Sequence, residues 1–409
     1  MKILRLAVSV IAVAACCAGF RADYLFAEDI SEKMPIMGDI AESIGMQNEP
    51  SDVATKVYST KTDDGWTLSL NRYTSKDPAV KVKAAVILCH GFNLNNKFWD
   101  LDKTCSLARY LTRNGYDVWA PSLRGSGLSS KPLIADVRNL IKLELVNIPQ
   151  TLMRAPMDLT KFDWNIDDHI LRDVPAIINL VKSESGFKKV YWIGHSMGGI
   201  IMFGYLETKK QDDIAGFVPI STMMFIHHPL SHSLETISKQ KPLLTASLLI
   251  NTNVASQLRN VTFGTVKNPI EELLMKRDNM EDRVVFRFFR LAIDDTSPGV
   301  VSQFSDSIRK GKMISSDGQF NYTNALKNVK VPIFIMGGNG DGFVTEEGLK
   351  SIYDSVSSKD KSVAIFSQAN GYSADYGHCD LILGRNSEKE VYPAILNWLN
   401  GRAHENISY

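Results

Sequence analysis

Five cysteines in 409 residues are too few for a disulfide framework. A chain of this length can bury roughly three quarters of its unfolded surface, so an apolar core suffices without one. Cys16 and Cys17 lie near the start, which leaves Cys89, Cys105 and Cys379 for a mature protein. Cys89 ends an apolar run and is expected to be a small buried hydrophobe, and Cys379 to serve packing rather than chemistry. An excess of charge is also missing. The 46 basic and 45 acidic side chains give a formal net charge of +1, and no long Lys/Arg run appears. Such a balance offers no footprint for a nucleic acid, and none is expected as a partner. Internal repeats and low-complexity tracts are absent, so neither a solenoid nor a biased tail is indicated.

Long apolar runs are scarce too. Lys2 and Arg5 precede the run Leu6 to Ala15, which is too short for a comfortable membrane span but has the shape of a secretory signal. Two endings remain open. Val13-Ala14-Ala15-Cys16 resembles a bacterial lipobox, with the signal ending at residue 15 and Cys16 lipidated. Ordinary cleavage near Ala27 is the other. The protein is therefore expected to be exported, either secreted or periplasmic or attached to a membrane through Cys16. Residues 28–52 are acidic and weakly periodic and read as a linker.

What is present is alternation. Strands are expected at Val57 to Thr60 and Trp66 to Tyr73, joined by a turn at Asp64-Gly65. Ala84 to Cys89 is a continuous apolar run, as a strand buried on both faces should be. Asp117 to Ala120, Lys189 to Ile193, Ala215 to Ile220, Val331 to Met336 and Ser362 to Phe366 complete a set of eight. Helical patterns separate them: Thr104 to Arg113, ending at Asn114-Gly115, and the face Ile170, Leu171, Val174, Ile177, Ile178 and Val181. In the latter, Pro175 must sit in the first turn or kink the helix. Ser387 with Glu390 has the form of a capping box opening a last helix. This order predicts an α/β fold: a mainly parallel eight-stranded sheet with helices on both faces. Residues 221–329 break the alternation with helical patterns, and are expected to be a helical cap inserted between core parts 53–220 and 330–409. A smaller insertion runs from about Leu128 to Phe162.

The chemistry centres on Gly194-His195-Ser196-Met197-Gly198, entered from the strand pattern Lys189 to Ile193 and followed by an apolar helix. This is the G-x-S-x-G elbow, in which a strained turn leaves no room for Cβ atoms two residues either side of the serine. A serine hydroxyl needs a base, and only His378, in Tyr376-Gly377-His378, follows the last strand closely enough to be held. His195 neighbours the serine, and its side chain is expected to point away. His404 lies in the tail. His227, His228 and His232 lack accompanying Asp, Glu or Cys at ligand spacing, so no metal and no cofactor is expected.

With these residues in view the chain resembles the α/β-hydrolase superfamily, and within it the acid-lipase branch. Thr62-Asp63-Asp64-Gly65-Trp66, Phe162-Asp163-Trp164 through Asp173-Val174-Pro175-Ala176, and Ser297-Pro298-Gly299 to Lys312 are similar to segments of that branch. Tyr376-Gly377-His378-Cys379-Asp380-Leu381 is similar to its final segment and to hydrolases found with bacterial cholesterol-oxidase-like proteins. Met197 and Arg124-Gly125-Ser126-Gly127 depart from the branch, which usually has Gln and Arg-Gly-Asn there. The resemblance implies Ser196 as nucleophile, His378 as base and Asp341 as acid. Asp341 sits in the flexible turn Gly337-Gly338-Asn339-Gly340-Asp341-Gly342, and Asp375 is its rival. It also implies oxyanion donors at the backbone amides of Met197 and of Phe92, in His90-Gly91-Phe92.

The expected substrate is a hydrophobic carboxylic ester. Met223, Met224, Phe225, Ile226, Phe286, Phe288 and Phe289 are candidates for an acyl groove, although at least half should be the cap's own core. An acyltransferase could use the same triad, and a non-catalytic binding protein could use the same scaffold. Serine rather than aspartate in the elbow disfavours a haloalkane dehalogenase. The leader generates a direct test by mass spectrometry of the mature N-terminus from a bacterial host. The lipobox reading expects diacylglyceryl on Cys16, whereas a peptide beginning at Glu28 excludes lipidation.

Overall fold

The computed structural model describes residues 52–131, 163–209, 211–226 and 269–403. The expected leader and linker, most of the small insertion, the early part of the expected cap, His227, His228, His232 and His404 fall outside them.

Eight strands form one sheet in the spatial order β1-β2-β4-β3-β5-β6-β7-β8. The strands are β1 (Val53–Lys61), β2 (Thr67–Ser75), β3 (Ala84–Cys89), β4 (Tyr116–Ser122), β5 (Val190–His195), β6 (Ile214–Ile220), β7 (Ile333–Gly338) and β8 (Lys361–Phe366). β1 with β2 and β2 with β4 are antiparallel, and every other pairing is parallel. The mainly parallel sheet read from the sequence is present, each strand within a few residues of its expected place.

Alternate residues of each central strand feed two separate cores. Val86 and Leu88 of β3, Tyr191 and Ile193 of β5, and Phe334 and Met336 of β7 face one. Ala85, Ile87, Val190, Trp192, Ile333 and Ile335 face the other. On the first face pack α1 (Leu107–Arg113), through Leu107, Ala108 and Leu111, and the late helix Tyr392–Asn400, through Tyr392, Ile395 and Leu399. The second is covered by α2 (Val174–Ser185), α3 (Met197–Thr208) and the helix Glu346–Ser355. Burial on both faces is why β3, β5, β6 and β7 are mostly apolar along their length, while buried Asp117 interrupts β4 and pairs with Arg72.

Two local expectations are corrected and one, for Pro175, is met. α1 starts at Leu107 rather than Thr104, because the Ser106 hydroxyl caps the Arg109 amide while Thr104 bonds to Asp102. Pro175 sits in the first turn of its helix, α2, as expected. Helical backbone begins at Ile166, and a π-turn at His169–Asp173 leads into α2 just ahead of the proline, so its missing N–H costs the ladder little. Ser387 and Glu390 do not form a capping box. The Ser387 hydroxyl donates to the Asp380 carbonyl, and Glu390 accepts from the Tyr376 hydroxyl at 2.7 Å, so tertiary partners take both side chains.

Between β6 and β7 the described residues are helices and turns with no strand of the main sheet. Residues here reach back to the loop after β3: Leu94 and Ile293 form an isolated bridge, and Asn95 Nδ2 donates to the Leu291 carbonyl. Among the described residues no helix is long and apolar enough to cross a membrane.

One carboxylate is at odds with its surroundings. Both Glu207 oxygens, near the end of α3, are buried without a hydrogen-bond partner among the described residues, and burial pushes the carboxyl up to about 9 from its ordinary 4.5. Because the folded-state value is raised, the folded protein holds a proton that the unfolded chain has released. Stability therefore falls as pH rises from about 4.5 towards 9. Glu207→Gln keeps the shape without the charge. By chemical denaturation it should be more stable than the parent by about 1–3 kcal/mol at pH 8, and equal to it near pH 4.

Candidate active site

Ser196 joins the end of β5 to the first turn of α3 with φ 52° and ψ −118°, a conformation that side chains other than glycine seldom adopt. It is held there by neighbours on two elements, β6 and α3. Its amide donates to the Ile220 carbonyl at 2.8 Å, and its carbonyl accepts from Gly199 at 2.9 Å and Ile200 at 3.2 Å. The glycine at 198 is a matter of contact. A Cβ there would lie 2.7 Å from the His90 carbonyl oxygen and closer still to that of Cys89. α3 can begin against the end of β3 only because the side chain is absent. Ser196 itself is half-exposed while Gly194, His195, Met197 and Gly198 are buried.

That close approach sets two peptide planes. The Ser196 carbonyl is tied down by Gly199 and Ile200, so the Met197 N–H points the opposite way and finds no protein acceptor among the described residues. The Gly91 carbonyl accepts from His90 Nδ1 at 2.9 Å and from the Leu94 amide at 3.4 Å. Across the trans peptide the Phe92 N–H faces away, likewise without a protein acceptor among the described residues. A Cβ on Gly91 would sit 3.0 Å from Ser196 Cβ, so this peptide lies against the serine. His90 is fixed in one tautomer: Nε2 accepts from the Leu123 amide at 3.1 Å and lies 3.1 Å from the Ser126 hydroxyl, leaving Nδ1 to carry the proton. Burial pulls its imidazole down to about 4, so it stays neutral at ordinary pH. Sequence reasoning did not single out His90; its place before Gly91-Phe92 was the available signal.

His378 and Asp341 are brought together from separate loops. His378 Nδ1 lies 2.9 Å from Asp341 Oδ2 and 3.1 Å from Oδ1, with the Asp341 side chain fully buried. Asp341 Oδ1 also accepts from the amides of Phe343 at 2.8 Å and Val344 at 3.0 Å. The expected flexible turn is in fact a packed one. A Cβ on Gly338 would overlap the Tyr376 carbonyl, and the Gly340 amide donates to that carbonyl at 2.8 Å. The glycines let the two loops touch. Asp375 stands apart: it is exposed, and its carboxylate accepts from the Gln368 amide as a loop cap. Asp380 is the loop's anchor. It accepts from Gly377 at 2.8 Å, from the Lys276 amide at 2.9 Å and from Asn279 Nδ2 at 2.7 Å, tying the histidine segment to residues 276–279.

The candidate groove residues divide. Met224 and Phe288 are fully buried, and Ile226 and Phe289 nearly so, as parts of the cores. Met223, Phe225 and Phe286 are half-buried. The rings that meet the site are others. Phe304 packs edge-on against Phe92 with centroids 5.3 Å apart, and Phe343 against His378 at 4.9 Å. No spacing in the sequence marks either, since each contact joins distant segments.

A sheet of this order, with a serine elbow after β5 and a His–Asp pair after β8 and β7, defines an α/β hydrolase. The family model of the alpha/beta hydrolase fold matches residues 84–369, and the chain belongs to that family. Within it the chain is similar to lipases. A tear acid lipase-like protein of Mesocricetus auratus is 23% identical over 381 residues, covering 86% of this chain and 88% of the relative. Triacylglycerol lipase 1 of Arabidopsis thaliana is 22% identical, covering 86% and 89%. A thermophilic esterase from Thermogutta terrifontis shares the fold at TM-score 0.52 and 16% identity, over 85% of this chain and 99% of that one.

The two aspartates near His378 are separable by turnover. Asp341→Asn should lower kcat by about four orders of magnitude, as a wrong-tautomer change does in other triads, while Asp375→Asn should change it less than about threefold. The reverse ranking would move the acid into the histidine loop.

Proposed function

We propose that the protein is an exported serine hydrolase that cleaves a hydrophobic carboxylic ester through Ser196, His378 and Asp341. The observation that carries the reading is the buried His378–Asp341 pair, 2.9 Å apart, in a loop bonded to the residue preceding the strained serine. Ser196 Oγ attacks the ester carbonyl while His378 Nε2 takes its proton, and Asp341 steadies the imidazolium through Nδ1–H. The amides of Phe92 and Met197, both without protein acceptors among the described residues, receive the oxyanion; one such donor is worth about 3 kcal/mol. Collapse expels the alcohol, protonated by His378, and leaves the acyl group on Ser196. Water, activated by His378, then releases the acid and restores the serine.

An apolar substrate is favoured by the half-buried rings of Phe92, Phe304 and Phe343 around the serine and histidine, and by the lipase relatives. Residues 221–329 would act as the cap; of their described part, Phe304 packs on Phe92 of the oxyanion loop, and Lys276 and Asn279 bond to Asp380 beside His378. The test is a series of p-nitrophenyl esters assayed below any micellar concentration. Each buried methylene is worth about 0.8 kcal/mol, so kcat/KM should rise tens- to hundredfold from acetyl to octanoyl and vanish in Ser196→Ala. A steady fall along the series would refute the apolar groove, and an active Ser196→Ala would refute the nucleophile.

A further inference from the structure

His195 was expected to point away from the chemistry. Instead its ring is buried, lies over Phe98 with centroids 4.5 Å apart, and meets the His378 ring edge-on at 4.8 Å. Its Nε2 lies 2.9 Å from the backbone carbonyl oxygen of His378. A carbonyl only accepts, so Nε2 carries the proton and Nδ1 is bare. Among the described residues Nδ1 is buried without a hydrogen-bond partner, facing the position that a Cβ on Gly91 would occupy. Burial and the neighbouring His378 hold the imidazole well below its ordinary range, which keeps it in this neutral form.

Packing alone does not account for a histidine here. A leucine or phenylalanine would fill a comparable space between Phe98 and His378 without burying an unmet acceptor. What the imidazole adds is one directed N–H, aimed at the backbone of the residue that must face Ser196. His195 is covalently next to Ser196, so the bond links the serine's strand directly to the histidine's loop. Two other ties on that loop, the Asp341 contact and the Asp380 cluster, run to β7's turn and to residues 276–279, not to the elbow.

We propose that His195 is a positioning residue, whose Nε2–H bond to the His378 carbonyl sets the place of the base relative to the nucleophile. This rests on reading Ser196 and His378 as nucleophile and base. Misplacement of a reacting group by about 1 Å can cost about a hundredfold in rate without loss of substrate binding, so the signature is a fall in kcat at constant KM.

Three substitutions separate the donor from the shape. Gln carries an amide N–H at the reach of Nε2, Asn carries the same group only as far as Nδ1, and Leu fills space with no donor. Turnover is measured per active site, titrated to completion with a fluorophosphonate, so that unfolded protein drops out. His195→Leu and His195→Asn should lose about ten- to hundredfold in kcat with KM within about twofold, and His195→Gln should return to within about threefold of the parent. The proposal is overturned if the leucine variant turns over like the parent, or if glutamine is no better than leucine. Should leucine not fold, the Gln–Asn contrast decides alone, because the two carry one functional group at different reach. Ser196→Ala tests the underlying reading separately: if it keeps activity, the nucleophile is wrong whatever the His195 series gives.

Discussion

The first turn of α3 begins in van der Waals contact with the end of β3, and the site is arranged around that approach. Gly198 leaves the space, Ser196 takes up the backbone strain, and the carbonyls of Cys89 and His90 lie where a side chain would otherwise be. The same approach brings the Gly91–Phe92 peptide against Ser196, so one steric condition places the serine and the amides of Phe92 and Met197 together. A larger residue at 198 would have to push α3 away from the end of β3.

The groups around the serine are held mainly by bonds to backbone. His90 holds a carbonyl and an amide, Asp380 holds two amides and an Asn side chain, and Asp341 holds two amides beside its histidine. Each fixes a loop by its main chain, so neighbouring side chains stay available for substrate. Away from the serine, the segments that resemble acid lipases meet at one buried junction. Arg124 bonds to Asp173 at 2.8 Å and to Asp64 at 2.8 Å, Trp66 meets Trp164 edge-on at 5.2 Å, and the Ser297 hydroxyl donates to the Trp164 carbonyl. Asp64, Trp164 and Ser297 come from three segments similar to the acid-lipase branch, and Arg124 joins them from a fourth whose following residues depart from it. Their resemblance to one family reflects one structural joint, which fastens the segment at residue 297 to the sheet.

Much of this was legible in advance. The eight strands could be read because burial on both faces leaves apolar runs that survive in one dimension, and the elbow because its steric rule acts within five residues. His378 is singled out by its place after the last strand and Asp341 by the resemblance, and the two side chains lie 2.9 Å apart. Several details were not legible. Ser387 and Glu390 have the spacing of a capping box, yet the Asp380 carbonyl and the Tyr376 hydroxyl claim them. Four of the seven candidate groove residues belong to the cores, since apolar character alone does not distinguish a groove from an interior.

What the sequence by itself determined is whatever rests on local rules: the period of burial, the turn at Asp64-Gly65, the glycines flanking Ser196. Only the tertiary structure decided which surfaces meet. His195 looks like one residue of a short motif until the loop of His378 lies against it, and Phe304 is one aromatic among many until it reaches Phe92. The physical reason is range. Steric and hydrogen-bonding preferences between chain neighbours are written into spacing, whereas contacts between residues more than a hundred positions apart depend on the packing of every element between them.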